Sequence, residues 1–81
     1  MFIGKVVGSV VSTRKNEKLI GSKFMIVEMA ENMGEHKRLV AVDNVGAGIG
    51  ETVLVATGSA ARIGCDQERA PIDAAIVGIV D

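Results

Sequence analysis

The chain has 81 residues, a net charge of −1 and two aromatic side chains, Phe2 and Phe24, yet it is 48% hydrophobic. One cysteine (Cys65) and one histidine (His36) exclude a disulfide framework and a Cys/His metal site, and the near-neutral charge gives no global field for nucleic acid or anionic lipid. A single domain this small buries only about 60–65% of its unfolded surface, so with staples excluded, self-association is the expected source of extra stability.

Phe2 to Thr13 is rich in Val and Ile with Gly4 and Gly8 inside it, and predicts a long, bent first strand. A signal peptide is not expected, because no basic stretch leads into a long apolar run. "RKNEK" (Arg14 to Lys18) is a polar turn. Lys23 to Met29 is the second strand on its Phe and β-branched content, although Met25, Met29 and Met33 also fall at helical spacing. Ala30 to Lys37 is a loop or hairpin tip, and Arg38 to Val42 a third strand.

"DNVGAGIGE" (Asp43 to Glu51) follows, then a fourth strand, Thr52 to Thr57. In "GSAARIG" Ser59 is expected to cap a one-turn helix that Gly64 ends in the left-handed conformation. Pro71 precedes a final strand, Ile72 to Val80, apolar on both faces. A sheet with one wet face alternates, so both faces are expected to be covered, one by the barrel core and the other by another subunit. The same pattern recurs at Val53 to Ala56. Turn signals every 10–15 residues or so argue for an all-β fold of five strands and one short helix, a small closed barrel or sandwich rather than a parallel α/β sheet, and the strand count also suggests a five-stranded OB-like barrel. The longest apolar run, Ala74 to Val80, is far short of the roughly 20 residues of a membrane helix, and the expected location is cytoplasmic.

The three glycines Gly46, Gly48 and Gly50 invite a dinucleotide reading, which needs G-x-G-x-x-G opening a helix. Glu51 stands where the third glycine should be, and the next segment is a strand former. The glycines are better explained by a tight turn that needs positive φ or close backbone approach, with Gly48 expected at positive φ, where valine would be strained. No cofactor is implied. Cys65, His36 and Asp66 could pair in principle, but nothing local activates the thiol. No spacing selects a catalytic pair from Asp43, Glu51, Asp66, Asp73 and Asp81. An OB-like barrel also raises an alternative, a module for single-stranded nucleic acid. Its basic residues would be Arg14, Lys15, Lys18 and Lys23, interrupted by Glu17, with Phe24 the one neighbouring ring; a charged hairpin tip is their ordinary explanation.

Three stretches, "GKVVGSVVSTRK", "VAVDNVGAGIGETVLVATGSAAR" and "PIDAAIVGIVD", together resemble the EutN/CcmL family, the vertex proteins of bacterial microcompartment shells. The resemblance implies a non-enzymatic OB-like barrel that forms a homopentamer in the shell of a carboxysome or catabolic metabolosome. Hexameric and trimeric shell proteins would be its partners. Gly46, Gly48, Gly50 and Glu51 would form the family's glycine turn, Ser59, Ala61 and Arg62 its capped helical corner, and Pro71, Asp73 and Ala75 the start of its last strand. These segments would lie near subunit contacts, with Arg62 as a charged interface anchor. Many members run on past the closing "IVD", and the loop Glu31 to Lys37 follows no family pattern.

Overall fold

The computed structural model describes residues 1–29, 37–66 and 69–81. Its strands are β1 (Phe2–Val10), β2 (Lys23–Met29), β3 (Arg38–Asp43), β4 (Thr52–Thr57) and β5 (Ala74–Ile79), with a helix α1 (Ser59–Gly64) between the last two. They close into a barrel in the order β1-β2-β3-β5-β4. Neighbours are antiparallel except β3 and β5, whose parallel seam is just two residue pairs, Val42 with Ala75 and Asp43 with Ile76. Closure gives each strand a neighbour on both sides and so shortens the exposed edges that make small sheets aggregate, leaving the start of β3 without a β5 partner.

β1 closes the barrel because it serves two partners. Phe2 to Lys5 pair with β4, and Gly4 to Val10 with β2. A register shift between Val6 and Gly8 bends the strand between these roles, as the Val/Gly pattern predicts. Gly4 is needed for the close approach: a Cβ there would lie 2.5 Å from Val27 Cγ1 and 2.9 Å from the Glu28 carbonyl. β1 stops at Val10 rather than Thr13. Beyond it Ser12 Oγ donates to the Arg14 carbonyl (2.9 Å), which turns the chain locally. The polar turn contains a 3-10 turn, Glu17–Leu19, whose Lys18 N–H donates to Asn16 Oδ1.

Period-2 alternation fills the interior. Val6, Met25, Val27, Val53, Val55 and Ile76 are essentially without solvent contact, each worth about 1.5–3 kcal/mol of transfer free energy. Met25 is therefore strand core, and its helical spacing to Met29 is incidental; Met33 lies outside the described residues.

A second apolar cluster lies outside the barrel wall and corrects one expectation. Ala75, on the outer face of β5, is fully buried by the chain's own Ala61, Ala70 and Ile72, with Val77 packed beside them. No other subunit is needed there, because small residues let α1 settle directly on the sheet. Val77 Cγ1 would stand only 3.0 Å from a Cβ on Gly64. Ile79 and Val80 further along remain 37% and 38% exposed.

The helix ends also differ from expectation. Gly58, not Ser59, is the N-cap, at φ 64, and no side chain caps the helix. Ser59 is already its first helical residue. Gly64 belongs to the helix, and the left-handed residue is Asp66 (φ 56). β5 pairs from Ala74 onward, because the backbone groups before it serve the corner: the Ile72 carbonyl accepts from Arg62, and that of Asp73 from the Gly58 N–H.

Candidate functional site

The segment from Asp43 to Glu51 carries the chain from β3 to β4 across one end of the barrel, and two carboxylates fix its shape. Asp43 Oδ1 accepts from the N–H groups of Val45 (3.0 Å) and Gly46 (3.1 Å), and Oδ2 from that of Ala47 (2.9 Å). Its side chain is completely buried, and Lys23 Nζ stands 3.5 Å from Oδ2. Lys23 also donates to the Ala47 carbonyl (3.4 Å). Glu51 Oε1 accepts from the Gly48 N–H (2.6 Å), while its own N–H returns to the Gly48 carbonyl. Gly50 N–H and the Val6 carbonyl, with Val6 N–H and the Glu51 carbonyl, then bind the turn to β1 at 2.8 and 3.0 Å.

Each glycine has its own reason. Gly46 (φ 82) and Gly50 (φ 94) occupy the left-handed region that disfavours a Cβ. Gly48 does not, which corrects the expectation that it would. Its constraint is proximity, since a Cβ would lie 3.2 Å from Glu51 Oε1. Between them Ala47 is fully buried and closes the end of the barrel core. Outside, Ile49 and Val45 stand 67% and 41% exposed on this fixed frame. Sequence reasoning placed Gly46, Gly48, Gly50 and Glu51 in one turn but overlooked Asp43 as its organiser. An aspartate followed by Asn and a nearby glycine is an Asx-turn signal that could have found it.

Ser59, Arg62 and Asp73 gather at a separate corner. Arg62 is half-buried and donates to the Ile72 carbonyl (3.1 Å), while Ser59 and Asp73 are exposed. The two regions are linked by Asn44 Nδ2, which donates to the Gly64 carbonyl (3.0 Å). Beside the corner a mostly apolar groove of about 230 Å³ is lined by Leu19, Phe24, Val40, Val42, Ile72 and Asp73, among others.

Little of this suits bond-breaking chemistry. Asp43 is consumed by backbone donors, and burial pushes the Cys65 thiol up, away from the reactive thiolate. Among the described residues no three His, Cys, Asp or Glu side chains group to hold a metal. His36, the notional partner of Cys65, lies outside them, as does the loop from Glu31 except Lys37. Of the basic residues near Phe24, Lys15 donates to the Ser12 carbonyl, Lys18 to that of Arg69, and Lys23 pairs with Asp43; Lys15 and Lys23 share a groove of about 350 Å³ with Phe24, but both are already engaged within the chain. Phe24 packs on the outer apolar cluster rather than standing as a stacking platform. The glycine stretch leads into β4, not the helix a dinucleotide site requires.

A family model described as "Ethanolamine utilisation protein EutN/carboxysome" matches residues 1–81. The chain belongs to the EutN/CcmL family. The bacterial microcompartment shell vertex protein GrpN of Rhodospirillum rubrum is 49% identical over 83 residues, covering all of this chain and 93% of the relative. The solved structure of that pentameric shell protein superposes with a TM-score of 0.85 at 48% identity, over all of this chain and 93% of the other. The carboxysome protein CcmL of Gloeobacter violaceus gives 0.90 at 42%, over all of this chain and 86% of the other.

Proposed function

We propose that the protein is a structural subunit of a bacterial microcompartment shell, working as a homopentamer that closes the shell's vertices. The observation that carries this reading is the match of the whole chain, from residue 1 to 81, to relatives named as shell vertex proteins. Physical chemistry points the same way. Among the described residues, large aliphatic side chains such as Ile3, Val40, Ile49 and Ile63 stand exposed, and apolar surface of this kind is what a partner subunit covers.

A ring of five copies is closed by a head-to-tail contact between two different patches on each subunit. The glycine turn (Gly46, Gly48, Gly50, Glu51) and the helical corner (Ser59, Arg62, Asp73) are the regions we place near that contact. Arg62 already spends one N–H on the Ile72 carbonyl, which leaves the rest of its guanidinium for a neighbour. In the shell the pentamer meets hexameric and trimeric tiles in the cytoplasm, and its role is architectural rather than enzymatic. Native mass spectrometry tests the assembly: the expected species has five times the 8.4 kDa chain mass. A stable monomer at micromolar concentration would overturn the proposal.

A further inference from the structure

We infer that Ile49, at the tip of the glycine turn, seats in the groove between β3 and the Pro71–Asp73 segment of a second copy of this chain. The inference rests on the pentameric reading, and it names the two surfaces that meet.

The groove exists because β3 and β5 pair at two positions only. Before that seam, the chain from Pro71 to Asp73 runs toward β5 without belonging to the strand. Buried Val42 and Ile72 line the resulting slot together with half-buried Leu19 and Phe24, and Val40 is 49% exposed. Water in such an apolar slot finds few partners, so an aliphatic insert is the chemistry that fits.

Ile49 is the insert whose position and rigidity suit a ring. Ile20 adjoins Leu19 at the groove itself, so its insertion into a neighbour's groove would be reciprocal and would close a dimer. Ile49 sits elsewhere: the Gly50 N–H ties it to Val6 on β1, which lies two strands from β3 around the barrel. Insert and groove are thus two different patches of the chain, as a head-to-tail contact requires. The turn is already ordered by Asp43 and Glu51, so docking Ile49 costs little further conformational entropy.

The test uses the full chain with Cys65→Ser to remove the native thiol. Ile49→Cys and Val40→Cys are introduced together, oxidised mildly and run on a non-reducing gel, with each single variant as control. A ladder of covalent oligomers up to five in the double variant alone is expected. Ile49→Asp, at an exposed position that leaves the fold intact by circular dichroism, is expected to weaken each contact about 30-fold or more, the loss typical of a central interface residue. Native mass spectrometry then shows monomers. If the unsubstituted protein is a pentamer but the double variant gives no ladder and Ile49→Asp still forms pentamers, the pairing of these surfaces is overturned and the vertex reading stands. If the unsubstituted protein is itself monomeric, both fall.

Discussion

A carboxylate shut away from water is tolerable when donors surround it, and Asp43 has three backbone N–H groups and the Lys23 ammonium. The same contacts hold Val45, Gly46 and Ala47 in one conformation, so a single side chain decides whether Ala47 can close the core and whether Ile49 has a rigid base. Hydrogen bonds to a charged acceptor contribute about 1.5–3 kcal/mol each, and donors left bare in the interior add their own cost. Asp43→Ala is therefore expected to destabilise the protein by about 2–4 kcal/mol, less than the sum of its bonds because the freed turn can partly reach solvent. Urea unfolding followed by circular dichroism measures this as a lower midpoint. An unchanged midpoint would mean that the turn holds its shape without the aspartate.

At the scale of elements, β1 carries the closure of the barrel, and its two glycines divide the work unequally. A methyl group on Gly4 would meet Val27 Cγ1 at 2.5 Å and the Glu28 carbonyl at 2.9 Å. The backbone oxygen cannot swing aside as a side chain can, so β1 and β2 must part. A methyl group on Gly8 would sit 3.5 Å from Ile26 Cδ1, an ordinary contact. Gly4→Ala is expected to cost about 1–3 kcal/mol, as overpacking does, and Gly8→Ala to stay within about 0.5 kcal/mol; equal losses in thermal unfolding would refute this account. The sequence alone cannot separate these glycines, because the difference lies in what each meets on a distant partner strand, Val27 and Glu28 for Gly4 but Ile26 for Gly8. Local chemistry, by contrast, was readable. Val- and Ile-rich runs bounded by turn residues located all five strands, and the resemblance of three stretches located the family. The cap of α1 was misread because Gly58 and Ser59 are both acceptable N-caps and tertiary contact chooses between them. The double-sided apolar pattern of β5 was seen correctly, yet its cover at Ala75 proved to be α1 of the same chain. Apolar residues report that a face is covered, not by whom.

For the whole molecule, the question is how a chain with so small a core stays folded, and the answer proposed here makes stability a function of concentration. If folding and five-fold association are one transition, five unfolded chains become one particle through four associations. Each tenfold rise in protein concentration then adds four-fifths of the 1.4 kcal/mol per decade to the stability of each chain, about 1.1 kcal/mol. For a domain of this size that is a rise in Tm of about 4–8 °C. Calorimetry across two decades of concentration is expected to show that slope in the unsubstituted protein. Ile49→Asp should flatten it, because a monomer's Tm does not depend on how many copies surround it. A flat Tm in the unsubstituted protein, with pentamers dissociating to folded monomers before the transition, would place the reserve of stability inside the barrel, where Val6, Met25, Val27, Val53, Val55 and Ile76 would have to supply it alone.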